Sequence, residues 1–127
     1  MEIFALIFEI VIPPIIIPLV MIIAGASFMN GAPKEINQIY GYRTEMSMKN
    51  RDTWEFAHRF YGRLSFVSGL ILLPLTVAAI ALLSKRFSVT TAILAVAGVQ
   101  ILLLLALILA TEVALRVKFD KGGGRKK

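Results

Sequence analysis

The side chains with which this chain could do chemistry gather in one stretch, Gly41–Arg63, which reads GYRTEMSMKNRDTWEFAHRFYGR. It contains the only histidine, His58, and the only tryptophan, Trp54. There is no cysteine and no second histidine, so a metal set around His58 would need Asp52 and Glu55, which fall on another face of any helix that carries all three. Ser47, Ser65 and Ser68 have no carboxylate–imidazole arrangement to activate them as nucleophiles. The pattern therefore argues against an enzyme, and no cofactor or metal site is expected. Arg43 and Thr44 point to binding, because a planar guanidinium can clamp a carboxylate, a carbonyl or a lipid phosphate. The simpler expectation is that Arg43 ties this stretch to a helix end, with Glu112 as its partner.

Two further acids, Glu9 and Glu112, stand inside otherwise apolar runs. An ionisable residue in a membrane span is costly enough to count as a functional candidate. Glu112 precedes Arg116 by four residues, which predicts a neutralising pair near the membrane surface. Glu9 has no basic residue in its own helix, and it motivates a rival reading as the titrating carboxylate of a small proton-coupled exporter or channel.

The elements that must position these groups are membrane spans. Of 127 residues, 57% are hydrophobic, against about 45–50% in soluble domains, and they come in blocks. Three blocks, about 3–29, 61–83 and 89–117, each exceed the roughly 20 apolar residues that cross a bilayer core. The expected fold is an all-α integral membrane protein, a single membrane domain over 1–127. Pro13, Pro14 and Pro18 should kink or break the first span, and Pro74 should bend the second more mildly. Ala24-Gly25-Ala26 resembles a signal-peptide cleavage site, but the preceding run lacks a basic start and is too long, so the span is kept.

A net charge of +6 would suggest nucleic acid in a soluble protein; here the basic residues read as topology signals, and no nucleic acid is expected. Lys34, Arg43, Lys49, Arg51, Arg59 and Arg63 lie between the first two spans, and Arg116, Lys118, Lys121, Arg125, Lys126 and Lys127 follow the third. Only Lys85 and Arg86 separate the second from the third. The positive-inside rule then puts the N-terminus outside, segment 30–60 and the basic tail 118–127 inside, and residues 84–88 outside a plasma membrane. The glycine-rich tail is expected to be disordered, with its lysines attracting anionic lipid.

Asn50 is a good N-cap for a helix of about 33 residues starting at Arg51, with Asp52 in its first turn. Glu55 and Arg59 are spaced for an ion pair on its solvated side. Ser65, Gly69 and Thr76 continue the face of Trp54, His58, Tyr61 and Gly62 into the span. This small-residue face should pack against the third span, where Ala92, Ala95, Ala106, Ala110 and Ala114 share a side. Residues 30–49, broken at Asn30-Gly31, Pro33 and Gly41, should fold back on the bundle. Three short helices make a thin bundle, so homo-oligomerisation or a larger membrane partner, with this chain as accessory subunit, is a further reading.

The residues Ile36-Asn37, Tyr40 to Thr44, Ser47-Met48, Asn50, Thr53-Trp54, Ala57 to Arg59 and Gly62 together resemble the signature of the SdpI/YfhL family of small bacterial membrane proteins. The resemblance covers about residues 30–115 and marks Asn37, Gly41, Arg43, Thr44, Ser47, Asn50, Trp54, His58, Arg59 and Gly62 as structural or binding residues. It implies immunity to a secreted antimicrobial toxin or peptide, with signalling through a repressor held at the membrane. The chain resembles the shorter family form, with one span ahead of the signature.

Overall fold

The computed structural model describes residues 2–6, 8 and 12–126; Glu9 lies outside the described residues. Among the described residues the helices in order are α1 (Glu2–Leu6), α2 (Ile12–Asn30), α3 (Arg51–Leu83) and α4 (Val89–Lys118). The last three are long and apolar enough to cross a membrane.

In the region expected as one span over 3–29, the described residues include α1 and α2. The prolines do not break α2. Pro13 and Pro14 sit in its first turn, where backbone donors have no helical acceptor, and only Pro18 lies in the interior. Pro18 has no N–H to give to the carbonyl of Pro14, four residues earlier. Gln100 of α4 supplies that hydrogen bond instead: its Nε2 donates to Pro14 O at 2.7 Å and to Thr76 Oγ1 of α3 at 3.0 Å. Gln100 is fully buried, and its Oε1 has no partner among the described residues. One amide side chain therefore joins all three spanning helices at the defect that Pro18 makes. Pro74 leaves α3 a single helix of 33 residues.

Gly62, Ser65 and Gly69 of the small-residue face of α3 pack against α2, not against α4 as the sequence suggested, and of that face Thr76 meets α4, through Gln100. A Cβ on Gly62 would lie 2.5 Å from Met29 N, and one on Gly25 would lie 2.4 Å from Phe66 N. The two backbones touch there, and Ser65 Oγ donates to Met21 O at 2.8 Å. Lipid gives helices no hydrophobic reason to associate, so this close approach and its hydrogen bond are what hold α2 on α3. Of the expected alanine stripe on α4, Ala92 is buried, but Ala95, Ala106 and Ala110 face outward. The buried face of α4 is instead Ala92, Val96, Gln100, Leu107, Thr111 and Leu115. Larger side chains hold α4 at a distance that Met21, Leu72 and Leu107 fill.

At 1.5 Å per residue α3 is about 50 Å long, more than the roughly 30 Å of a hydrocarbon core. Its first turns, which carry Arg51, Asp52, Glu55, Arg59 and Arg63, extend beyond the apolar run that starts at Leu64. Residues 31–50 fold back against these turns. So does the tail, contrary to the expected disorder: Phe119 bridges to Arg125, and Lys126 N donates to Lys118 O at 2.9 Å. A second apolar cluster of Tyr42, Ala57, Leu115 and Phe119 closes this end of the bundle.

Candidate functional site

The segment after α2 is shaped by its own side chains. Asn37 Oδ1 accepts from the amides of Ile39 and Tyr40, an Asx turn. Arg43 Nη1 donates to Gln38 O. Arg43 therefore ties the loop to itself rather than to Glu112. Gly41 follows with φ +118°, a conformation that L side chains avoid, and a Cβ there would sit 2.6 Å from His58 Nε2. The glycine lets the loop backbone come close against the Nε2 edge of His58.

That contact is the centre of the site. Tyr42 N–H donates to His58 Nε2 at 2.8 Å, and His58 Nδ1 lies 2.8 Å from Trp54 O. An amide nitrogen only donates and a carbonyl only accepts, so the imidazole must be neutral with its proton on Nδ1. Burial pushes its pKa below the ordinary histidine value. The ring is enclosed by Trp54 at 4.2 Å and, edge-on, by Phe28 of α2 at 4.9 Å. Trp54 Nε1 in turn donates to Pro33 O at 2.9 Å.

Around this centre the remaining signature residues complete a polar frame. Thr44 and Ser47 exchange backbone-to-side-chain bonds at 2.9 and 3.1 Å, and Ser47 Oγ reaches Tyr42 O at 3.0 Å. Asn50 caps α3 through Thr53 N at 2.9 Å, while Thr53 Oγ1 accepts from Asn50 N at 3.1 Å, a reciprocal capping box. Asn50 Nδ2 also donates to Gly123 O at 2.8 Å, holding the tail. Gly62 belongs to the α2–α3 contact rather than to the frame. Arg59 is exposed, and no ion pair joins it to Glu55 among the described residues; Glu55 pairs with Arg51 instead, at 3.0 Å. The backward choice has a reason: Arg51 also donates to the carbonyls of Pro33 and Lys34, which fixes its guanidinium over Glu55.

Glu112 is reached from the loop by a residue the sequence reading passed over. Tyr42 Oη donates to Glu112 Oε1 at 2.8 Å. Burial and this carboxylate both raise the phenol pKa, so Tyr42 remains a donor. No Glu112–Arg116 ion pair occurs among the described residues. Tyr42 thus carries two jobs, its amide on His58 and its hydroxyl on α4. Its place between Gly41 and Arg43 was the available signal, since a tyrosine beside a turn glycine can dock in either direction. Asp52 belongs to a bidentate pair with Arg125 at 2.7 Å, and that guanidinium holds its carboxyl below the usual range.

The hydrogen bonds of this arrangement hold segments together. Both His58 nitrogens are occupied by backbone groups, and no group of three or more acidic or imidazole side chains suited to a metal occurs among the described residues. The frame joins loop, α3, α4 and tail into one unit at the end of the bundle.

The profile of the SdpI/YfhL protein family matches residues 34–111. The uncharacterized protein YfhL of Bacillus subtilis (strain 168) is 34% identical over 104 residues, covering 82% of this chain and 86% of that relative. No solved structure matches the chain. The matched stretch begins one residue after Pro33, takes in Tyr42, Trp54 and His58 and ends beside Glu112, and on this basis the chain belongs to the SdpI/YfhL family.

Proposed function

We propose that the chain is a multi-pass plasma-membrane protein that protects its cell against a secreted antimicrobial toxin or peptide, by binding and relay rather than by catalysis. The charge distribution supports an orientation with the His58 frame in the cytoplasm and residues 84–88 outside. In that orientation the toxin meets the spans or the 84–88 turn, and the frame transmits the encounter to a cytoplasmic repressor. The observation that carries the reading is the Tyr42 bridge. One residue bonds both the buried imidazole of α3 and Glu112 of α4, so a shift of α4 within the membrane alters the loop directly.

Expression in a toxin-sensitive strain tests this. Protection is expected from the parent chain, and Arg43→Ala or Trp54→Ala should abolish it with membrane abundance unchanged. If the parent gives no protection against toxins encoded beside its gene, the immunity reading fails. Proton-driven flux in proteoliposomes that Glu9→Gln removes would make the chain an exporter instead. Stable co-purification of a larger membrane protein would make it an accessory subunit.

A further inference from the structure

The basic residues after Leu115 divide between two sides of the folded tail. On one side they are spent: Arg125 pairs with Asp52, and Lys118 Nζ lies 4.6 Å from the ring centroid of Phe56. On the other side a cavity of about 580 Å³ opens between residues 45–49, the end of α4 and the tail. Arg116, Lys121 and Lys126 contribute to its wall, and Met46 gives it an apolar floor with the buried Phe119 beneath.

Three carboxylates also line the cavity, and each is already engaged. Glu45 lies 3.7 Å from Lys49 Nζ. Asp120 Oδ1 accepts from the amides of Gly122 and Gly124, both at 2.9 Å. Glu112 Oε1 accepts from Tyr42 Oη. Arg116, Lys121 and Lys126 have no carboxylate within 4.0 Å among the described residues. The tail turn positions two of these cations: the Asp120–Gly124 turn carries Lys121, and the Lys126 N to Lys118 O bond brings Lys126 back to the helix end.

We propose that this cavity binds one anionic phospholipid, its phosphate between Arg116, Lys121 and Lys126 and its glycerol on Met46. Three features select a lipid over a soluble anion. The floor is apolar; the site stands at the end of a spanning helix, where headgroups lie; and α4 exposes Leu109 and Val113 on the turns leading back into the membrane for the acyl chains. Basic pockets at the ends of membrane helices take anionic headgroups for these reasons. The site does not depend on the immunity reading.

The test is native mass spectrometry of the full chain released from nanodiscs of phosphatidylcholine with one-fifth phosphatidylglycerol. One retained phosphatidylglycerol per chain is expected. The double variant Arg116→Gln/Lys121→Gln should bind it about 30-fold more weakly, the worth of two basic residues beside an anionic surface. Lys85→Gln/Arg86→Gln removes the same charge at the other end and should retain the lipid. Arg116→Lys, which keeps the charge, should also retain it, and unchanged Trp54 emission reports that each variant is folded. Equal loss from both double variants, or equal retention of the two lipids, would overturn the site. Displacement of the lipid by millimolar inorganic phosphate would overturn the lipid assignment.

Discussion

Replacing Gly62 by alanine tests whether backbone contact between α2 and α3 holds the bundle together. The added Cβ would stand 2.5 Å from Met29 N and 2.9 Å from Gly25 O, both main-chain atoms that no rotamer can move. Ordinary contact begins near 3.5 Å, so the helices must part by about 1 Å. That takes the Ser65 Oγ to Met21 O bond, now 2.8 Å, beyond hydrogen-bonding range. Overpacking of this kind costs about 1–3 kcal/mol, and an interhelical hydrogen bond in a membrane contributes about 0.6 kcal/mol. The expected loss for Gly62→Ala is about 2–4 kcal/mol, with a similar loss for Gly25→Ala, whose Cβ would meet Phe66 N at 2.4 Å. Once the helices have parted for one methyl the second fits in the same gap. The double variant should therefore fall short of the sum by about 1–2 kcal/mol. Gly98→Ala is the control: nothing lies within 4 Å of its Cβ, and alanine in a helix should be neutral or gain up to about 1 kcal/mol. Denaturation in mixed micelles, followed by the emission of Trp54, reads the parent and all four variants. Parent-like stability of Gly62→Ala, or strict additivity of the pair, would refute the contact.

Other consequences follow from the polar frame and the proline defect. Gln100→Leu strands the carbonyl of Pro14 and should cost about 1–2 kcal/mol; adding Pro18→Ala restores a backbone N–H to that carbonyl and should recover most of it in the same denaturation assay. His58 must be neutral to accept from Tyr42 and its folded pKa is depressed, so stability is full above the unfolded value of about 6.5 and falls as pH drops below it. The slope should approach about 1.4 kcal/mol per pH unit, and Trp54 emission measured from pH 8 to 5 should lose this dependence in His58→Gln. Gly41→Ala, strained at φ +118° and clashing with the imidazole, should free the loop, seen as faster amide exchange at Tyr42 with α3 and α4 still protected.

The class of protein and most element boundaries can be read from residue order alone. Apolar blocks longer than a bilayer core leave helices as the only structure that satisfies their backbone, and Asn50, with Asp52 after it, marks where α3 begins. So can the face of α3 that is buried, because Trp54, His58, Gly62, Ser65, Gly69 and Thr76 follow one helical stripe. Which helix covers that face was a different matter. Hairpin connection argued for α4, yet bare backbone at Gly25 admits α2 closer than Val96 or Leu107 would allow, and only the packed bundle decided between them. The same holds for the pairing of distant polar groups. Arg43 and Tyr42 are neighbours in the chain, and which of them reaches Glu112 depends on the direction in which Gly41 turns the backbone over His58. The sequence alone assigns Gln100 no role. Its reason, a carbonyl left without a donor by Pro18, exists only where α2 and α4 meet.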